Sequence, residues 1–332
     1  MAASICKKSI SIIMLLCLMV MVLFSSVAIS YAETDSDAAD SNVDTDANLS
    51  DGSIVNDENS VTADSDADTE VQEQQPKQHK VIHPRKITKA EISKIKKYKG
   101  KNAKKIPVIT YHRILSDSVK NSPEYVDDIY SISLSEFKKQ MAWLRKKHYR
   151  TITCGELYLW HEGKIKLPKR SVLITLDDGH GASVEKFASV LSKNRFKGTV
   201  FIIGKSSCIP DERKAITVKR IRQLSKNNKY IEFQSHSYGI HRPDAKLTET
   251  YDTVMDDAAL QRELFGFEYL AYPHGRYSAE MIRAYQDSGI RMAFTFGAAK
   301  NGYATKKQDL YKIKRIRITG QMPLKEFRKW CK

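Results

Sequence analysis

Ser171-Val-Leu-Ile-Thr-Leu-Asp-Asp-Gly-His180 is the stretch whose reading decides the fold. Val172, Leu173, Ile174 and Leu176 make a short apolar run with β-branched members, the pattern of a strand buried on both faces. The run meets two adjacent carboxylates, Asp177 and Asp178, and then Gly179. Burying two acids side by side is expensive unless a cation or a shared proton compensates. Asp-Asp-Gly also serves as ordinary turn chemistry, so the stretch alone does not choose between a turn and a site. The carboxyl ends of strands are, however, where α/β folds place their chemistry.

Working outward, apolar runs alternate with helical patterns. Strands are expected at 106–112, 151–153, 171–176, 198–203, 230–234, 269–272, 292–296 and 313–318. Helices are expected near 135–147, 155–161, 183–194, 217–226, 251–264, 279–288 and 324–330. Strands alternating with helices over this length imply a parallel sheet wrapped by helices. Seven or eight strands suit a closed α/β barrel better than an open sheet. No G-x-G-x-x-G or phosphate-binding loop follows the first strand, which lowers the nucleotide-binding readings.

Three further strand ends are polar. The first runs into Tyr111-His112, another into Ser235-His236-Ser237-Tyr238-Gly239-Ile240-His241, and a third into Tyr272-Pro273-His274-Gly275-Arg276. His236 and His241 are five apart, and Gly239 and Pro243 argue for a loop in which both rings can converge. Two histidines and one carboxylate form a facial ligand set that leaves positions open for water. One Asp of the pair could bind a metal while its neighbour stays free as a general base.

At this point the residues resemble the NodB-homology polysaccharide deacetylases, carbohydrate esterase family 4. Thr175-Leu-Asp-Asp-Gly179, His236-Ser237 with His241, and Tyr272-Pro-His-Gly275 are similar to the family's first three motifs, in order. The resemblance implies a distorted (β/α)7 barrel over 106–332 that removes acetyl groups from acetylated sugars with one divalent metal. Carried over by position, Asp177 matches the general base, and Asp178, His236 and His241 match the metal ligands. Tyr272, Pro273, His274 and Gly275 match the substrate and oxyanion segment, with the backbone N–H of His274 as the oxyanion donor. Zinc is the expected ion for a His-His-Asp set, with cobalt, nickel and manganese as alternatives.

Three departures stand out. The step between the histidines is five where the family commonly has four. The arginine that usually opens the third motif and orients the base is Ala271 here. No histidine follows His274, so the late Leu-x-His motif that supplies the general acid is missing. These departures, with Pro107-Val-Ile-Thr-Tyr-His112, resemble the poly-β-1,6-N-acetylglucosamine deacetylases, in which the acid-bearing strand is permuted to the front. Among nine histidines, His112 alone ends a strand with no other visible duty, which makes it the expected general acid, with His180 as the next candidate. The partner of Asp177 stays unidentified at this stage. The rival readings are an O-acetyl esterase on xylan-type glycans and an inactive glycan-binding module.

The rest of the chain concerns location. Residues 1–32 read as an export signal or membrane anchor, with Lys7 and Lys8, an apolar run from Ile10 to Phe24, and Ser30 and Ala32 before a cleavage point. Residues 33–75 carry fourteen Asp and Glu and no Lys or Arg, the composition of a disordered acidic linker. Residues 76–105 read as a basic linker with one short helix. From 76 to 332 the chain has 53 Lys and Arg against 25 Asp and Glu, a net charge of +28. An extracellular enzyme is expected, secreted or tethered to the outer membrane face. Its substrate would be an N-acetylated polysaccharide, and an anionic wall polymer or membrane surface could hold it by charge. Nucleic acid is not an expected partner. Cys154, Cys208 and Cys331 remain after the signal, an odd number with no close pair.

Overall fold

The computed structural model describes residues 86–209, 214–296 and 302–332, so the signal, the acidic linker and the start of the basic segment lie outside the described residues. The strands, in chain order, are β1 (Val108–Tyr111), β2 (Arg113–Leu115), β3 (Ser131–Ser133), β4 (Arg150–Ile152), β5 (Ser171–Leu176) and β6 (Gly198–Ile202). There follow β7 (Ile231–Ser235), β8 (Tyr269–Ala271), β9 (Met292–Thr295), β10 (Ile313–Lys314) and β11 (Ile316–Arg317). Nine of them form one sheet in the order β10-β9-β8-β7-β6-β5-β1-β11, with β4 also paired to β5. All of these pairings are parallel.

Residues 313–317 nearly close this sheet into a barrel. Ile313 and Lys314 pair with Phe294 and Thr295 of β9, whereas Ile316 and Arg317 pair with Ile109 and Thr110 of β1. Arg315 stands at the hand-over, its N–H donating to the Thr295 carbonyl at 3.1 Å. The single strand expected at 313–318 is thus two two-residue strands, because the chain changes ladder partner at Arg315. The architecture is that of the expected distorted (β/α) barrel.

The helices between strands begin where the sequence supplies caps. Ser133, Thr153, Thr217, Thr250 and Ser278 each accept a backbone N–H from the first turn of the following helix. The segment read as a basic linker contributes to the fold: Thr88 caps the helix Lys89–Lys96, whose Ile95 is buried in a cluster with Ile106, Trp160 and Leu173. A second difference lies between β1 and β4. The sequence reading leaves 113–134 without structure, and the chain there forms β2, the helix Asp117–Lys120 and β3. Buried Lys120 organises that turn by donating to the carbonyls of Tyr125 and Val126.

β5 is buried along its whole length, as its composition demands. Val172, Ile174 and Leu176 pack outward among helix residues such as Phe137 and Phe187, while Leu173 packs inward with Phe201 and Phe294. Thr175, on the inward face, donates to the hydroxyl of Thr110, its register partner on the adjacent β1, at 2.9 Å. The period-2 rule then sends Asp177 to the inward face at the mouth of the barrel.

Candidate active site

The mouth is a cleft at the carboxyl ends of the strands, lined among others by His112, Asp177, Asp178, His236, His241 and His274. Asp177 is fully buried, and its N–H extends the ladder to the Tyr111 carbonyl at 2.9 Å. Arg315, itself fully buried, grips the carboxylate with two parallel bonds, Nη1 to Oδ1 and Nη2 to Oδ2, both 2.8 Å. Burial pushes the Asp177 pKa up, but Arg315, with smaller help from His236 and His112, outweighs it and holds the carboxyl below its ordinary value. The guanidinium lies 4.3 Å from the centre of the Phe296 ring, which shields the pair from water. Arg315 was not recognised in the sequence. The available signal was its place on the inward face of the 313–317 segment, where Ile313 is buried and a cation needs a buried acid.

Asp178 turns away from its neighbour because the backbone reverses there, with φ of 67° at Asp178 and 71° at Gly179. Its Oδ1 lies 3.3 Å from Nε2 of His236 and 3.3 Å from Nε2 of His241. One ligand atom from each of these three residues falls within 4.8 Å of the others. Burial raises the Asp178 pKa, and the hydrogen bonds from the two imidazoles more than reverse this, leaving it well below the ordinary value. The Nδ1 of His236 is 2.7 Å from the Ala271 carbonyl, which can only accept, so Nδ1 carries a proton and Nε2 is the nitrogen turned toward Asp178. A neutral imidazole aimed by a carbonyl is the form that ligates metal, and the donor set fits one divalent ion. Ala271, where the resembling family has its arginine, therefore orients His236 through its backbone.

His112 reaches the same cleft from the end of β1. Its ring lies edge-on to Tyr130 at 5.1 Å and nearly parallel to Phe296 at 6.1 Å. Its Nδ1 is buried without a hydrogen-bond partner. Burial lowers its pKa, and Asp178 and Asp177 offset only part of that effect. His274, at φ 56°, also lines the cleft, 4.8 Å from the His241 ring. Burial, and then the neighbouring His241 and His236, push its pKa down to about 4. Gly275 lies beside it at φ 68°, and a Cβ there would come within 2.6 Å of the Phe296 nitrogen. Tyr272 and Pro273 are buried and do not line the cleft. The Tyr272 ring packs against Tyr277 and Tyr285 at 5.1 and 6.0 Å, so only its backbone serves this segment. His180 also stays out of the cleft, with Nδ1 against the Ser183 hydroxyl at 3.2 Å. The three cysteines are unpaired.

The cleft therefore combines a buried acid held ionised, three residues able to hold a metal ion, and an imidazole whose Nδ1 has no hydrogen-bond partner among the described residues. Such a set can activate water, hold a cation and deliver a proton to a leaving group. Residues 164–293 match the family model described as polysaccharide deacetylase. The chain is 27% identical over 224 residues to YxkH of Bacillus subtilis, covering 66% of this chain and 73% of that one. It is 25% identical over 254 residues to the poly-beta-1,6-N-acetyl-D-glucosamine N-deacetylase of Staphylococcus aureus, covering 70% of this chain and 85% of that one. Among solved structures, the Streptococcus pyogenes deacetylase PplD, in complex with acetate, superposes with a TM-score of 0.60 at 22% identity, covering 69% and 98% of the two chains. IcaB from Ammonifex degensii gives a TM-score of 0.58 at 22% identity over the same shares.

Proposed function

We propose that this chain, whose residues 164–293 match the polysaccharide deacetylase family model, is a metal-dependent N-deacetylase of an extracellular N-acetylated polysaccharide. Poly-β-1,6-N-acetylglucosamine and the N-acetylglucosamine of peptidoglycan are the proposed substrates. The reading is carried by the convergence of Asp178, His236 and His241 beside an acid that Arg315 holds ionised. Asp178, His236 and His241 hold the ion, and zinc is the proposed one. When bound, a divalent ion supplies Lewis acidity to the acetyl carbonyl and acidifies the attacking water.

The remaining steps fall to the chain's own residues. Asp177 takes the proton from water as oxygen adds to the acetamide carbon. The backbone N–H of His274 donates to the developing oxyanion. His112 protonates the sugar nitrogen as the C–N bond breaks, releasing acetate and a glucosamine amine. A pure binding module would gain nothing from a second buried acid with its own buried arginine. The excess of 53 cations over 25 acids on residues 76–332 supports retention at an anionic wall polymer or membrane face, outside the cytoplasm.

The test is acetate release by the purified protein from N-acetylglucosamine oligomers and from acetylated xylan. Release from the oligomers, abolished by a chelator and restored by zinc, is the expected result. Release from xylan alone would make the enzyme an esterase, and release indifferent to chelation would remove the metal from the reading.

His112→Ala carries a separate expectation. The fold and zinc content stay intact, and amide hydrolysis slows by about a hundredfold, the usual scale for loss of a general acid. An acetyl ester with a good leaving group needs little protonation and loses much less. The ratio of the two rates is the measurement; equal losses on both substrates would return the acid role to another group.

A further inference from the structure

The five-residue step from His236 to His241 departs from the family's usual spacing, and the fold fastens the longer loop with two side chains. Asp257 and Gln261 stand one turn apart on the helix Tyr251–Phe265, and both are buried. The Asp257 carboxylate accepts three successive backbone N–H groups, from Tyr238 at 2.8 Å, Gly239 at 2.6 Å and Ile240 at 3.1 Å. Gln261 donates its side-chain N–H to the Ser237 carbonyl. Every residue between the two histidines is thereby tied by its backbone to one rigid helix. At the ends of the loop, His236 donates its N–H outside it, to the Ile202 carbonyl at 2.8 Å, whereas His241 donates back into it, to the Gly239 carbonyl at 2.9 Å. The backbone also passes through φ 67° at Ser237, a conformation that a non-glycine residue keeps only when its surroundings impose it.

We propose that Asp257 is a positioning residue of the metal centre: its carboxylate fixes the 237–240 loop so that His241 faces the same point as His236 and Asp178. The proposal rests on the reading that these three residues bind the ion. Without the carboxylate, the N–H groups of Tyr238, Gly239 and the buried Ile240 lose their acceptor and the loop relaxes toward water. His236 keeps its orientation through the Ala271 carbonyl. Among the described residues the ring of His241 has no backbone anchor of this kind, and its aim depends on the loop. Outer partners of metal ligands typically contribute about 10–100-fold in metal affinity.

The test measures zinc affinity of the purified, metal-stripped protein by competition with a chromophoric chelator, alongside the metal-free melting temperature. Asp257→Ala is expected to weaken zinc binding by about 10–100-fold. Asp257→Asn should recover part of that, because its oxygen can still accept from Gly239 and Ile240. Gln261→Ala, which removes only the Ser237 anchor, should fall between Asp257→Asn and the wild type. A folded Asp257→Ala protein with a lower melting temperature and wild-type zinc affinity would overturn the proposal, leaving Asp257 a packing residue. Should Asp257→Ala fail to fold, wild-type affinity in both Asp257→Asn and Gln261→Ala would overturn it equally. A His241→Ala protein that binds zinc as the wild type does would overturn the metal reading itself, and the proposal with it.

Discussion

Arg315→Met lowers kcat/KM at pH 7 by about a hundredfold or more, on the scale of losing the general base altogether. Desolvation is the largest influence on Asp177, and Arg315 is the largest of those that oppose it. With the guanidinium gone, burial acts with less opposition and carries the Asp177 pKa above its ordinary value, so the acid is protonated where the wild-type residue is a base. The variant's activity should climb with pH through the raised pKa, whereas the wild-type profile is already flat there. Stability changes sign as well. In the wild type the depressed folded pKa contributes stability above the unfolded value of about 3.9, and that contribution is lost as pH falls through the folded value. In Arg315→Met the folded pKa is the higher one, so the residue costs stability increasingly as pH rises from the unfolded value of about 3.9 to the raised folded value, and the cost levels off above it. Breaking a buried ion pair costs about 3–5 kcal/mol. Parallel pH–rate and pH–melting curves for the two proteins check this. A variant whose pH–rate profile matches the wild type would show that Arg315 does not set the ionisation of Asp177.

Asp177→Asn is the second large effect. The amide keeps the shape of the carboxylate but cannot take a proton from water, so kcat should fall by about 10²–10⁴-fold. Zinc content should be unchanged, because the ligand set of Asp178, His236 and His241 is untouched. The variant should also melt earlier, since the Arg315 guanidinium then stays buried without a counter-charge. Elemental analysis beside the rate separates the two adjacent acids: Asp178→Asn should lose the ion. An Asp177→Asn protein without zinc would move Asp177 into the ligand set.

Most of the barrel was legible because its strands are buried on both faces and read as continuous apolar runs. β5 announces itself through Val172, Leu173, Ile174 and Leu176. The cluster of Asp178, His236 and His241 was legible because these are types that rarely share strand ends without a reason. What could not be read is whatever depends on closure in three dimensions. Arg315 pairs with Asp177 across 138 residues of chain, and it is one of several basic residues in its neighbourhood. Asp257 looks like any acid on an amphipathic helix until the fold lays its helix against the 237–240 loop. The segment 113–134 escaped because β2 and β3 are three residues each, too short for periodicity to register. Tyr272 matched the motif in type, yet β8 ends so that its ring enters the core behind the cleft.

The hand-over at Arg315 bears on the order in which the molecule matures. Residues 313–317 supply a partner to two strands at once, β9 and β1, and carry between them the guanidinium that holds both oxygens of Asp177. Until that segment docks, both flanking strands keep an open edge, and Asp177 has no counter-charge for burial. Bringing together positions so far apart in the chain carries a large loop-closure entropy, which places this contact among the slow steps of folding. Sealing the barrel and arming the base are consequently one event. A chain whose 313–317 segment has not yet docked therefore lacks the paired, ionised Asp177 of the finished cleft.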